Sequence, residues 1–405
     1  LLRGQQWADK LIGQPVLSPP GWRLRPALVS HLHGHTAPVT RLVTLPKAIL
    51  ASCSGDGCVR IWDCGKMESR NIANRARQVY NTHSGPLLGM TLCNNNTCLA
   101  MASRLGAIIV LKIEANKMSA LDCRQLDLEE EGPPVDIAHF DPGSQSVLVY
   151  PTVYGYVIGW DLRAPGIAWK LENDLRQGVI TAMHMDSRQC CLSLGTSSGF
   201  HTCWDLRFHL PIATIQHPSG SRVRRLTGHP TEPSWLISAA VGNDEVSLWD
   251  IESESRRTVL WGSSTPPLSH TQGNSHSVCA LYSGIIDRTP FLLTGGTDHR
   301  VRYWDLDNLD SSYVAIPAGS DSPGQCTYSY NCRQIDGTHV VQEIQSRSQS
   351  GGGRRGPGSG EECPRAGPDQ PATGHHNAIT DITLCQATQC FMVTGARDGV
   401  IKVWK

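Results

Sequence analysis

The sequence has no charge excess: 36 Lys and Arg stand against 36 Asp and Glu in 405 residues. A chain that wraps nucleic acid or lies on an anionic membrane carries a basic surplus. Neither is expected to bind this chain as a whole. No apolar run approaches the roughly 20 residues of a membrane helix, and no secretory h-region is present. The 15 cysteines are odd in number and include no C-x-x-C pair. Many, such as Cys53, Cys93, Cys98, Cys191 and Cys203, stand beside apolar residues, where a thiol serves as a small core group. Disulfide frameworks suit shorter secreted chains, so a reducing, cytosolic compartment is expected.

Catalytic signatures are missing as well. There is no phosphate loop, no H-E-x-x-H and no kinase signature set. Gly195-Thr196-Ser197-Ser198-Gly199 matches G-x-S-x-G, but a nucleophile elbow runs from strand into helix. Here the strand-like Phe200-His201-Thr202-Cys203-Trp204 follows. His31, His33 and His35 alternate along one segment, yet no Cys, Asp or Glu at short spacing completes a tetrahedral site; His375-His376 fares no better. The sequence therefore predicts no enzyme, no metal and no cofactor.

What is present is a repeat. Trp-Asp recurs at Trp62-Asp63, Trp160-Asp161, Trp204-Asp205, Trp249-Asp250 and Trp304-Asp305, and the chain ends Trp404-Lys405. The interval matches the ~40–45 residues of a four-stranded propeller blade. A degenerate unit ending at Leu111 fills the double gap from Trp62 to Trp160. Counting Trp or its equivalent at 62, 111, 160, 204, 249, 304 and 404 gives seven units, an all-β, seven-bladed WD-repeat propeller. The last unit runs out after three strands, and the apolar run Leu24 to Leu32 is placed to supply the fourth. Pairing the N-terminal strand with the C-terminal blade closes the ring and removes its free edges.

Within the best units the spacing suggests a polar relay. A turn Asp accepts from a buried His, and a Ser or Thr hydroxyl links that His to the Trp indole N–H, satisfying buried polar atoms. Three complete sets are expected: His35/Ser52/Asp56/Trp62, His276/Thr294/Asp298/Trp304 and His375/Thr394/Asp398/Trp404. The second unit retains almost none of this, so it is expected to open first.

The period breaks between Trp304 and Trp404. Ser312 to Ile316 and Cys326 to Cys332 have strand-like content, whereas residues 345–373 are Gly-, Ser-, Pro- and Arg-rich and too poor in apolar groups to offset ordering entropy. They are expected to be a disordered insertion in a propeller spanning 23–405. Residues 1–22 are read as a linker or docking tail, and the chain as the C-terminal part of a longer one. The acidic run 127–131 marks a surface loop between the second and third blades.

Longer stretches narrow the family. The segments from Gly195 to Ile212, Asn243 to Asp250, Leu260 to Leu268, Gly337 to Gln345 and Arg397 to Lys405 resemble the C-terminal propeller of the large regulatory subunit of the class III phosphatidylinositol 3-kinase. That resemblance implies a non-catalytic scaffold. Its implied partners are the lipid kinase catalytic subunit and Beclin-type coiled-coil subunits. The implied setting is autophagy and endosomal or vacuolar sorting. It also implies a cytoplasmic protein, peripheral on endosomal and autophagic membranes through the complex. The protein-kinase-like domain of that family has no counterpart here.

Two other functions compete. Trp160-Asp-Leu-Arg163 and Trp204-Asp-Leu-Arg207 are W-D-x-R boxes of the kind by which substrate receptors dock on cullin-type ubiquitin ligases. Arg163 and Arg207 are thus candidate partner contacts, unless they simply pair with turn carboxylates. Arg224-Arg225-Leu226-Thr227-Gly228 is a broken version of a phosphoinositide-binding Phe-Arg-Arg-Gly box.

Overall fold

The computed structural model describes residues 27–67, 74–114, 117–141, 146–164, 166–186, 190–242, 244–262, 276–319, 321, 326–347, 374–386 and 390–405. They form seven sheets arranged as the blades of a propeller: blade 1 over 39–81, blade 2 over 87–125, blade 3 over 138–172, blade 4 over 180–216, blade 5 over 223–261, blade 6 over 278–316 and blade 7 over 379–404 with 28–32. The reason is visible in any one unit. In blade 1 the strands Val39–Leu45, Ile49–Ser54, Cys58–Asp63 and Gln78–Asn81 are linked by tight turns. Their apolar side chains are buried on both faces, as stacked blades require. The turn between the second and third strands closes on Gly57, whose φ of 77° favours a residue without Cβ.

Blade 7 is built from both ends of the chain. Leu28–Leu32 pairs antiparallel with Ile401–Trp404, with Leu28 opposite Trp404 and Leu32 opposite Ile401. The Lys405 N–H donates to the Ala27 carbonyl at 2.9 Å. One apolar cluster then bonds this blade to blade 1, joining Leu32, Phe391, Val393, Ile401 and Val403 to Val39, Leu50 and Trp62. Each such fully buried side chain contributes roughly 1.5–3 kcal/mol, so the seam is held by a packed apolar core.

Blade 5 departs from the four-stranded expectation. Its sheet has six strands, because the hairpin Cys326–Ile335 and Thr338–Arg347 adds to the outer strand Ser255–Trp261. The pairing is parallel, Thr258 to Trp261 opposite His339 to Gln342. The hairpin leaves blade 6 and docks backward on blade 5, so the surplus between Trp304 and Trp404 is in part ordered β-structure. The insertion's expected start at residue 345 falls inside this strand, which runs to Arg347. The rest of that insertion, 348–373, lies outside the described residues, as does the tail 1–22.

Candidate interaction surfaces

The polar relay is complete in blade 1. His35 bonds Asp56 at 3.0 Å through Nδ1 and Ser52 Oγ at 2.8 Å through Nε2, and the Trp62 indole N–H donates to the same Oγ at 2.8 Å. Burial pushes the Asp56 pKa up. The hydrogen bond from His35 and the Cys58 and Thr36 N–H groups outweigh it, giving about 2.

Blade 7 carries a shortened version. His375 bonds Thr394 at 2.6 Å and Trp404 donates to Thr394 at 2.9 Å. Asp398 is exposed and accepts from the Val400 N–H instead. Among the described residues the His375 Nδ1 has no partner. Nineteen residues separate His375 from Thr394, against seventeen between His35 and Ser52, so the ring arrives in a different relation to the turn. Burial, reinforced by nearby Lys402, lowers the His375 pKa to about 3 and keeps it neutral.

In blade 6 the expected histidine is displaced. Trp304 donates to Thr294 at 3.0 Å, but His276 lies at the surface. Asp298 pairs with Arg302 at 2.7 Å. Arg302 is opposite Thr294 in the ladder, so its long side chain reaches the turn from inside the sheet. It also binds Glu343 at 2.8 and 3.1 Å and the Gly262 carbonyl at 3.0 Å. Glu343 belongs to the docked hairpin, and one buried guanidinium thus joins blade 6 to that arm. Burial lowers the Arg302 pKa, yet Asp298 and Glu343 hold it well above the ordinary value.

Blade 5 has a relay bond that spacing concealed: Trp249 donates to Ser238 at 2.8 Å. The turn here is one residue longer, putting Ser eleven residues before Trp instead of ten. In blade 4 the hydroxyl position is Leu194, opposite Thr202, and among the described residues the Trp204 N–H has no partner. In blade 2 Met101 and Leu111 hold the places of Ser52 and Trp62.

The innermost strands bring charged side chains together at the centre of the ring. The innermost strands of blades 1, 5 and 7 carry a bulge followed by Arg41, Arg225 and Asp381. Arg225 donates to the carbonyls of Cys279 at 3.0 Å, Thr40 at 3.2 Å and Thr380 at 3.2 Å. It therefore ties its own blade 5 to blades 6, 1 and 7. Arg41 reaches Asp136 at the entry to blade 3. Burial raises the Asp381 pKa, opposed by both arginines. Arg225, half of the supposed phosphoinositide box, is thus spent inside the ring, which corrects that reading.

The W-D-x-R boxes are likewise closed on themselves. Arg163 forks onto Asp161 at 3.0 and 2.9 Å, and Arg207 onto Asp205 at 3.0 and 2.6 Å. Both guanidiniums remain about half exposed above largely buried carboxylates. Ser197 of the G-x-S-x-G match sits in a turn between strands, its Oγ accepting the Val179 N–H at 3.2 Å. His31 and His33 stack with centroids 6.0 Å apart while His35 faces Ser52. Among the described residues no group of three His, Cys, Asp or Glu is arranged to hold a metal ion, and no helix is long and apolar enough to cross a membrane.

Comparison with known proteins agrees with this architecture. The WD domain, G-beta repeat family model matches residues 26–63 and 369–405, the two units that meet at the seam. The chain is similar to the probable serine/threonine-protein kinase vps15 of Dictyostelium discoideum, 24% identical over 95% of this chain and 26% of that protein. It is 25% identical to the serine/threonine-protein kinase VPS15 of Arabidopsis thaliana, over 98% of this chain and 30% of that one. A shorter match, 23% identical over 78% of this chain, is to the protein transport protein sec31 of Emericella nidulans, a quarter of which is covered. The chain spans less than a third of the length of the two vps15 proteins. It is a WD-repeat propeller with similarity to vps15 proteins along nearly its whole length.

Proposed function

We propose that this WD-repeat propeller is a non-catalytic scaffold, the propeller of a class III phosphatidylinositol 3-kinase regulatory subunit. It holds the lipid kinase catalytic subunit together with Beclin-type coiled-coil subunits. The assembly serves autophagy and endosomal or vacuolar sorting, and the chain is peripheral on those membranes as part of the complex. The observation that carries the reading is the similarity to vps15 kinases over 95–98% of the chain. The internally paired relays add to it, because they are spent within blades and leave turns and loops as the surfaces that meet partners. Co-purification with the catalytic and Beclin-type subunits is the test; recovery of neither overturns it. The same preparation separates the ligase reading. Arg163→Ala with Arg207→Ala should leave assembly unchanged, whereas loss of a cullin adaptor from the purified material would favour the receptor.

A further inference from the structure

The turn between the second and third strands of each blade faces the same end of the disc as the loop that enters the next blade, because strand direction alternates. In blades 1, 6 and 7 this turn carries Asp56, Asp298 and Asp398. In blades 2 and 3 the equivalent residues, four beyond Met101 and Tyr150 in the ladder register, are Leu105 and Tyr154. They are 56% and 44% exposed. The entering loops on the same face add Leu128, Leu175 and Val179, also exposed.

These side chains lie close together. A Cβ at Gly106, next to Leu105, would fall 2.8 Å from Leu128 Cδ2. One at Gly155, next to Tyr154, would fall 2.9 Å from Leu175 Cδ2, and one at Gly132 would meet the Tyr154 ring at 2.8 Å. Of the thirteen large exposed hydrophobics among the described residues, five, Leu105, Leu128, Tyr154, Leu175 and Val179, lie on this one face. Contiguous apolar exposure on a soluble fold marks an interaction site.

We infer that this band is the docking surface for an amphipathic helix of another polypeptide whose polar flank is basic. Strand ends and turns line the band, not a free sheet edge, so a partner engages it through side chains and not by adding a strand. The exposed charges beside it are Asp127, Glu129, Glu130 and Asp174 against Arg104 and Arg176. That acidic balance favours Lys and Arg on the partner and repels anionic lipid and nucleic acid. The inference rests on the scaffold reading for the identity of the partner, but not for the chemistry of the surface.

Leu105→Asp with Tyr154→Asp restores the carboxylate that three other blades carry in this turn, so the fold should survive, as circular dichroism and an unchanged Tm would show. In the assembly reconstituted with the catalytic and Beclin-type subunits, this variant should weaken binding at least about tenfold. Glu129→Lys with Glu130→Lys should weaken it by a smaller factor and flatten its salt dependence. A photoreactive side chain at position 154 should cross-link to a helix bearing Lys or Arg. Unchanged affinity of the aspartate variant, or a cross-link to an acidic or extended segment, overturns the proposal. If the wild-type chain assembles with neither subunit, the scaffold reading fails while the surface is still tested. The probe is then a synthetic helix of about 20 residues with a leucine stripe and lysine flanks. Binding to the wild type and not to the aspartate variant supports the band; equal or absent binding refutes it. Self-association, or flotation with phosphatidylserine vesicles, that the same variant abolishes would assign the band to a second copy or to lipid, and refute it too.

Discussion

Blades 5, 6, 7 and 1 form one continuous arc in which the repeat Trp of the third strand, Trp249, Trp304, Trp404 and Trp62, donates its indole N–H to a Ser or Thr hydroxyl. Blades 2 and 4 hold the same backbone geometry with an apolar side chain, Met101 or Leu194, at that hydroxyl position. The contrast is sharpest between blades 1 and 2. Ser52, Asp56 and Trp62 correspond in register to Met101, Leu105 and Leu111. Yet the turn hydroxyl is the same in both: Ser54 donates to the Ala37 carbonyl and accepts from the Asp56 N–H. Ser103 donates to the Ser84 carbonyl and accepts from the Leu105 N–H. Blade geometry therefore needs the turn, the bulge and a filled core. The relay is an addition that satisfies a buried indole and histidine, and a blade that drops both groups can drop the relay.

The channel repeats the division. Arg225 ties together the four blades of the polar arc and none of the others. The largest expected effect follows. Arg225→Ala removes three bonds to carbonyls and leaves Asp381 buried with less compensation, so it should cost about 3–5 kcal/mol in denaturant unfolding. A loss below about 1 kcal/mol would mean that the arc is held by packing alone.

Truncations in the two arcs sharpen the comparison. Met101→Ala, in the apolar arc, should cost about 2–5 kcal/mol through the cavity it opens. Ser52→Ala, at the same place in blade 1, strands the Trp62 indole and a His35 nitrogen and should cost about 1–3 kcal/mol. If Ser52→Ala proved the more damaging, the relay would be the stronger support. Hydrogen exchange then asks which blade yields first. Blade 2 lacks the relay and lies outside the Arg225 tie, so its amides should exchange before those of blade 1; uniform protection around the ring would remove the distinction.

The smallest effect is the slope of stability with pH. Burial lowers His201 and His375 to about 3 and His184 and His229 to about 4. Unfolded histidine binds its proton near pH 6.5. Below that pH the unfolded state takes up more protons, so stability should fall from about pH 6.5 towards 4. Asp244 works the other way. Burial and neighbouring Asp298 raise it to about 6, so its contribution is full in acid and is lost as pH rises from about 4 through 6. Burial also lowers His31 and His139 and raises Asp381 as it does Asp244, so six histidines against two carboxylates set the net sign, and a Tm that rose on acidification would reverse it.

Much of this was legible in the sequence. Trp spacing counted seven units, and the missing fourth strand of the last unit located its partner at the N-terminus. Both are consequences of a local period, because each blade is one supersecondary unit. The His35 set was legible because its spacing is regular. Blade 5's Ser238 was not, since one extra turn residue shifts the interval. His276 could not be told from a ligand of Asp298 because Arg302, its replacement, is near in space through the ladder and carries no mark in the repeat pattern.

By itself, then, the sequence determined the class of fold, the number of blades and the way the ring closes, since hydrophobic period and turn chemistry act over a few residues. Only the tertiary structure decided that the surplus after blade 6 folds back as a hairpin on blade 5, that Arg225 lies in the channel, and that Leu105 and Tyr154 share one exposed face with Leu128 and Leu175. Each of these depends on which distant elements become neighbours, and no local spacing encodes that.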